Sequence, residues 1–349
     1  MEIKKRIAYL DMAKGIAIIA MVAGHVSLLP WEPIRKLIFS FHMPLFFILS
    51  GFTTKETNGN PLVNIKKYAK QLLLPYLYIA VISSLILLIK NDFTVQALFN
   101  EVLRILVGSG VPADYGPGKP IFFDTLPVVG AIWFLPAMFW CKTIFTLILK
   151  LTRRHGEWMR AIICTFLTIF GYVVGQYYKL PLGIDIAFFA VGFLYLGFAA
   201  RKYDLLQKTN ASWACVAVAL WYLGIRANAI ELSARYYRDF PMCIFAFWGA
   251  VGATVAICKI CEEMLDKIPI IKPILSFSGR KSLYILAMHH LESLFINWNS
   301  IALKIPLSPL AQGILIAVLR IVIAISLAWC YDKFYTFIKD RITKRNALK

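Results

Sequence analysis

The sequence predicts an all-α, polytopic integral membrane protein with about ten transmembrane helices and both termini in the cytoplasm. Of its 349 residues, 59% are hydrophobic and 16% are charged, with a mean hydropathy of +0.67. Soluble chains average about 45–50% apolar and about 25% charged residues. Apolar runs near the ~20 residues that cross a bilayer recur along most of the chain. Basic residues concentrate in alternate loops, which is the orientation signal of membrane proteins.

The apolar runs place the spans at 7–29, 35–54, 71–90, 127–149, 160–178, 184–200, 212–230, 240–261, 281–298 and 309–331. An even number of spans puts both termini on one side. The loops on that side hold the larger share of the 38 Lys and Arg residues, which assigns it to the cytoplasm. The first span lacks a small-residue cleavage site, so we expect it to stay uncleaved.

One transmembrane domain is predicted over residues 1–349, with a long outer loop at 91–126 and a basic C-terminal tail at 332–349. Within the outer loop, apolar residues recur at helical spacing over 93–107, which predicts a helix lying at the membrane interface. Pro44 is expected to kink the second span. The short loops favour a bacterial inner membrane.

Charge and cysteine usage exclude other classes. The net charge of +19 follows membrane orientation, so no nucleic-acid partner is expected. The seven cysteines lie mostly within apolar runs and do not form a disulfide pattern. Cys258 and Cys261 have no second pair at zinc-site spacing, so no metal is expected. The chain also lacks a Walker A sequence, a Gly-x-Ser-x-Gly elbow and a His-Glu-x-x-His motif.

Three ionisable residues share one face of the first span. Asp11, Lys14 and His25 fall within an arc of roughly 60° at about 100° per residue. Helical rise puts His25 about 16 Å from Lys14 and about 21 Å from Asp11. Asp11 and Lys14 can therefore pair with each other, whereas a partner for His25 must come from another helix. Ionisable groups inside a span usually carry function.

Further candidates lie in later spans and outer loops. His42 follows the first outer turn and is expected at a depth similar to that of His25, where it is either a functional or a packing residue. His289 and Glu292 are three residues apart on one helix face, either as a structural pair or as part of a site. The polar or aromatic candidates for an acceptor site on the outer side are Asp124, Trp133, Asp185, Arg235, Tyr236, Arg238 and Asp239.

Several ordered motifs resemble the membrane acyltransferase-3 family, most closely its fucose acetylase-like branch. They are Leu10-Asp11-x-x-Lys14-Gly15, Gly24-His25, Phe41-His42-Met43-Pro44-x-Phe46-Phe47-x-x-Ser50-Gly51-Phe52, Trp133-Phe134-Leu135-Pro136, Phe188-Phe189 with Gly192, and Gly279-Arg280-Lys281-Ser282-Leu283-Tyr284-Ile285 before His289. The resemblance runs over nearly the whole chain. It departs from the family at Lys14, where arginine is common, and at Lys66, Lys67 and Lys70, where an Arg-x-x-Arg motif precedes the proline.

The resemblance implies a ten-helix membrane enzyme that takes an acetyl group from acetyl-CoA and passes it to a hydroxyl of a glycan or glycolipid. It implies that His25 is catalytic and that Lys14 and Lys70 contact the donor. On this interpretation Asp11, Lys14 and Lys70 form the donor end, and His25 and His42 the reaction end. Trp133, Asp185, Arg235, Arg238 and His289 are the candidates for acceptor binding. Acetyl-CoA is a substrate, and no permanent cofactor is implied.

The residues support this chemistry independently. A sugar hydroxyl must lose its proton as it attacks a thioester, and neutral histidine is the usual general base. A covalent acyl-histidine is the other open mechanism. The alternative function is a carrier or flippase for a lipid-linked sugar or exopolysaccharide, which would transfer no acetyl group. The acceptor, the acyl group and the oligomeric state are not fixed by the sequence.

Overall fold

A computed structural model describes residues 7–26, 32–56, 59–90, 93–121, 128–227, 230–264 and 266–347. Of these described residues, 79% are helical. The helices of the described residues are α1 (Ala8–Gly24), α2 (Glu32–Phe39), α3 (His42–Phe52), α4 (Pro61–Tyr68), α5 (Leu74–Lys90), α6 (Val95–Val107), α7 (Phe134–Leu151), α8 (Glu157–Tyr177), α9 (Ile184–Lys202), α10 (Leu205–Lys208), α11 (Ala211–Arg226), α12 (Met242–Glu263), α13 (Ile271–Arg280), α14 (Ser282–Phe295), α15 (Trp298–Leu303) and α16 (Pro309–Ala347).

Short irregular elements join these helices. A π-helical turn at Ala69–Leu73 connects α4 to α5, and 3-10 turns at Gly130–Trp133 and Pro181–Gly183 precede α7 and α9. Two two-residue strands, β1 (Lys119–Pro120) and β2 (Tyr178–Lys179), pair in parallel.

The prediction of an all-α polytopic membrane protein is confirmed. Among the described residues, seven helical segments are long and apolar enough to cross a membrane: Glu32–Phe52, Pro61–Lys90, Gly130–Leu151, Glu157–Tyr177, Pro181–Lys202, Met242–Glu263 and Pro309–Arg341. The other three predicted spans contain α1, α11 and α14, which have 17, 16 and 14 residues. The count of ten and the side of the termini stay predictions.

Three local expectations can be compared with these bounds. The predicted interfacial segment at 93–107 does contain a helix, α6. The described part of the basic tail is helical, because α16 continues to Ala347. The second span is interrupted rather than continuous: α2 ends at Phe39 and α3 begins at His42. Pro44 explains the interruption, because its ring would clash with the carbonyl of Ser40 four residues earlier in an unbroken helix.

The described chain divides into two compact units, Met1–Arg35 with Ile268–Lys349, and Lys36–Lys267. In the first unit, α1 packs against α13 through two glycines. A Cβ at Gly279 would lie 1.8 Å from the Asp11 carbonyl oxygen, and one at Gly15 would lie 2.1 Å from that of Leu275. Only glycine therefore permits this approach, which resembles the small-residue packing common between membrane helices. The single-domain prediction over 1–349 is not tested by this division.

In the second unit, α3 and α9 are also in backbone contact. A Cβ at Gly51 would lie 1.8 Å from the Leu194 carbonyl oxygen, and one at Gly197 would lie 1.8 Å from that of Ile48. Large apolar side chains on α5, such as Leu77 and Tyr78, are instead exposed, as expected for a helix facing lipid. The unit therefore combines tightly packed inner helices with an apolar outer face.

Candidate active site

The last turn of α1 fixes the orientation of the His25 ring. His25 is the C-cap residue of α1 and is half-buried. Its Nδ1 lies 2.7 Å from the carbonyl oxygen of Met21, one turn earlier. A carbonyl can only accept a hydrogen bond, so Nδ1 carries the hydrogen and donates. In the neutral imidazole the lone pair therefore resides on Nε2, and the fold presents one defined basic nitrogen.

A second imidazole, from α14, packs against the first. The ring centroids of His25 and His289 are 5.0 Å apart and the ring planes meet at 63°. His289 is buried and belongs to the same unit as His25. The sequence analysis predicts that a partner for His25 must come from another helix. Within the described residues, α14 provides His289 as that partner.

Glu292 is the anionic centre of the surrounding network. Its Oε1 lies 3.3 Å from Nδ1 of His289 and 3.0 Å from Nε of Arg320. Its Oε2 accepts a hydrogen bond of 2.6 Å from Nε1 of Trp298. All four side chains in this network are at most 9% exposed. A buried carboxylate is tolerated only when it is paired and hydrogen-bonded, and both oxygens of Glu292 meet that requirement.

Arg320 connects this network to the backbone of His25. Besides pairing with Glu292, it donates from Nη1 to the carbonyl oxygen of His25 over 2.8 Å. One guanidinium thus bridges α14 and the end of α1, using two donors of its rigid planar fork. The last turn of α1 is therefore fixed by a charged group located 295 residues later in the chain.

An apolar cluster packs beside the charged groups. Val26, Trp298, Ala302, Ile316 and Ala317 form its buried part. Apolar surroundings lower the local dielectric and so strengthen the interaction between Glu292 and Arg320. The pair carries no net charge, so the region is neutral when both imidazoles are neutral. The first unit thus contains a half-buried histidine held in one orientation, and a general base must be positioned in this way.

The other candidates on α1 lie apart from this network. Asp11 is buried and Lys14 is half-buried, both in the first half of the helix. By helical rise they are roughly 21 and 16 Å from His25. Their role in donor binding stays a prediction, and it does not depend on the contacts of His25.

The remaining candidates belong to the second unit. His42 is buried at the start of α3; its Nδ1 lies 2.9 Å from the carbonyl oxygen of Ile38, and its ring contacts Phe39. Its neutral form therefore also has the lone pair on Nε2. Lys70 is exposed on the π-helical turn before α5, a helix distortion that is frequent at functional sites. Trp133 is buried, with Gly110 against its indole.

Two outer-side candidates form a buried ion pair. Arg235 binds both oxygens of Asp185, with Nε to Oδ2 at 2.7 Å and Nη2 to Oδ1 at 3.1 Å. The side chain of Asp185 is fully buried, and that of Arg235 is 3% exposed. Burial lowers the pKa of Arg235, but the charge and hydrogen bonds of Asp185 outweigh it and raise the pKa overall. This pair ties the loop at 230–241 to the start of α9.

Neighbouring residues extend that arrangement. Lys179 donates to the carbonyl oxygens of Ala113 and Tyr115 at 2.7 and 2.9 Å. Burial, with the nearby charge of Arg235, lowers the pKa of Lys179. Arg238 is half-buried, and its carbonyl oxygen accepts a hydrogen bond from Tyr172. Polar contacts therefore hold the described parts of the loops predicted to lie on the outer side. Asp124 lies outside the described residues, and acceptor binding by the others stays a prediction.

Sequence reasoning assigned no role to Arg320 and Trp298. Arg320 carried a usable signal, because an arginine inside an apolar span usually faces the protein interior and has a functional or structural partner. Trp298 carried none, because tryptophan near a span end is an ordinary interface residue. Neither sequence position indicates that both side chains converge on Glu292.

The fold and this network define a multi-pass membrane protein with a histidine-centred polar site among apolar helices. The acyltransferase-3 family model, described as an acyltransferase domain, matches residues 7–329. The chain therefore belongs to this family, and the family resemblance noted from its motifs is confirmed. Its closeness to the fucose acetylase-like branch stays a prediction. It is an acyltransferase, with carbohydrates as its general class of acceptor. The search of curated proteins gave no match.

Proposed function

We propose that the protein transfers an acetyl group from acetyl-CoA to a hydroxyl of a cell-surface or exported carbohydrate. The site is proposed to lie in the inner cell membrane, where basic cytoplasmic loops attract the phosphates of the donor. The single observation that supports the chemistry best is the fixed orientation of His25, whose Nδ1 donates to Met21.

In this mechanism Nε2 of His25 takes the proton from the acceptor hydroxyl as its oxygen attacks the thioester carbonyl. The carbon–sulfur bond then breaks, the acetyl ester forms, and the proton passes from the imidazolium to the departing thiolate. The Glu292–Arg320 pair holds His25 in place through its backbone carbonyl. Lys14, Asp11 and Lys70 are proposed at the donor end, and Trp133, Asp185, Arg235, Arg238 and His289 on the acceptor path.

The test is His25→Ala, with His155→Ala as the matched control because His155 is an exposed histidine in a loop. General-base catalysis contributes about 10²–10⁴-fold, so we expect acetylation of surface glycan to fall by that factor in the first variant and not in the second. Membrane levels of both proteins are measured by immunoblot. Full acetylation by a stably expressed His25→Ala protein would overturn the assignment.

His42 is tested in the same assay. His42→Ala should lower turnover if Nε2 of His42 takes part in proton transfer, whereas a packing role should lower only the amount of folded protein. Normal turnover per folded molecule would remove His42 from the reaction end.

Purified protein with radiolabelled acetyl-CoA separates the remaining mechanisms. Label appearing in the carbohydrate without accumulating on the protein supports general-base catalysis. Label trapped on His25 would instead indicate a mechanism with a covalent acyl-histidine intermediate. A protein that moves glycan but neither binds nor transfers the labelled acetyl group would be a carrier.

A further inference from the structure

A polar cleft opens in the second unit where α3 ends, α4 begins and α7 ends. Its lining includes the side chains of Thr54, Lys55, Asn64, Tyr68, Thr146 and Lys150. The free space is about 310 Å³, counting the part open to solvent. The enclosed part is much smaller, about 20 Å³, so a bound group would lie partly in solvent at the rim. The cleft lies at the span ends that the charge bias assigns to the cytoplasm.

The charge around this cleft is positive. Lys55 and Lys150 are exposed at its rim. A third cation lies behind its inner wall, where Lys142 donates to Oγ of Ser50 at 2.9 Å and stands 4.6 Å from the ring centroid of Tyr68. Oγ1 of Thr146 lies 3.5 Å from the Tyr68 hydroxyl and completes this wall.

Glu56, the acidic residue next to the rim, contacts two basic residues that do not line the cleft. Glu56 pairs with Arg160 at 2.6 Å and with Lys202 at 3.5 Å. Partial burial raises its pKa, but the hydrogen bond and charge of Arg160 outweigh this and lower the pKa overall. Among the described residues lining the cleft, none is acidic. The lysines at the rim therefore face the cleft with little opposing charge.

We propose that this cleft binds a phosphate group, namely the phosphate monoester at the nucleotide end of coenzyme A. Two ammonium groups with amide and hydroxyl donors suit a phosphate monoester, which carries about −1.5 to −2 charges at pH 7. A lipid phosphodiester carries only one. The assignment to the donor rests on the proposed acyl transfer, whereas the phosphate site rests on the cleft alone.

The variant Lys55→Gln/Lys150→Gln tests the proposal, with Lys208→Gln as control because Lys208 is an exposed lysine on α10. Acetyl-CoA and its 3′-dephospho analogue are compared as donors in nanodiscs of neutral lipid. We expect the double variant to raise KM for acetyl-CoA about tenfold, with kcat within twofold, and to leave KM for the analogue unchanged. The tenfold change in KM assumes that each lysine makes one contact with the phosphate and that each contact is as strong as a typical exposed charge pair.

Equal KM changes for both donors would overturn the proposal. They would indicate that the two lysines attract any negatively charged donor rather than bind this phosphate group. An unchanged KM for acetyl-CoA would do the same. The control variant should behave as the wild type with both donors.

A binding measurement keeps the phosphate site separate from the proposed function. Labelled adenosine 3′,5′-bisphosphate should bind the wild type and the His25→Ala protein equally, and the double lysine variant about tenfold more weakly. This result supports the phosphate site even if no acetyl transfer is found. If phosphatidylglycerol in the nanodiscs displaces the nucleotide from the wild type, the site belongs to lipid and the donor assignment is wrong.

Discussion

Replacing Arg320 by leucine should destabilise the first unit strongly. The change removes the cation paired with Glu292 and the donor to the His25 carbonyl. Removing one partner of a buried ion pair typically costs about 3–5 kcal/mol, and a lost hydrogen bond costs about 1 kcal/mol. Burial of the new leucine returns about 1–2 kcal/mol. We expect a net loss of about 2–5 kcal/mol in the free energy of unfolding.

The double variant Arg320→Leu/Glu292→Leu separates the charge effect from packing. Because it leaves no carboxylate unpaired, it should be about 2 kcal/mol more stable than Arg320→Leu alone. Arg320→Lys keeps the charge but lacks the planar fork, so it should fall between the wild type and the leucine variant.

The assay is denaturant unfolding of purified protein in detergent micelles, followed by tryptophan fluorescence and repeated at a second protein concentration. Arg226→Leu is the control, because Arg226 is exposed at the end of α11; it should change stability by less than about 0.5 kcal/mol. A loss below about 1 kcal/mol for Arg320→Leu would refute the reasoning. So would a double variant whose loss equals the sum of the two single losses.

Two further predictions concern packing and charge. Gly279→Ala should lower the free energy of unfolding by about 1–3 kcal/mol, because the new Cβ would clash with the Asp11 carbonyl oxygen. Gly59→Ala is the control and should lower it far less, because a Cβ there would have nothing within 4 Å. A thermal unfolding scan measures both. Partial burial raises the pKa of Glu56, but the contact with Arg160 outweighs it and lowers the pKa overall. The charged Glu56 therefore stabilises the folded protein above the ordinary pKa of about 4.3. This contribution to the free energy of unfolding is lost as the pH falls through the lowered pKa of the folded state. Glu56→Gln should therefore lower the melting temperature more at pH 7 than at pH 3, and an equal deficit at both pH values would contradict this.

The positions of the helices were largely predictable from the sequence. Bilayer thickness imposes a length on each apolar run, and Pro44 marks the break that separates α2 from α3. The spacing of Asp11 and His25 along one helix also excluded that carboxylate as the partner of the imidazole. These inferences depend only on local geometry.

The candidate site required information that lies outside any local pattern. Arg320 contacts His25 across 295 residues of chain, and no periodicity encodes that pairing. Glu292 was recognisable as a neighbour of His289 on α14, but its contacts with Arg320 and Trp298 depend on how α14, α15 and α16 pack. Tertiary packing therefore decided which polar residues meet, while the sequence decided only where they lie on each helix.

The location of His25 and Arg320 near opposite ends of the chain has a consequence for biosynthesis. A ribosome adds about 5–20 residues per second, so roughly 15–60 s separate insertion of the first helix from synthesis of the guanidinium that fixes its last turn. Throughout that interval the imidazole is present without the guanidinium that binds the backbone carbonyl of His25. A message truncated before the last helix would yield a protein that lacks Arg320, so on the proposed mechanism activity begins only after the final span is made.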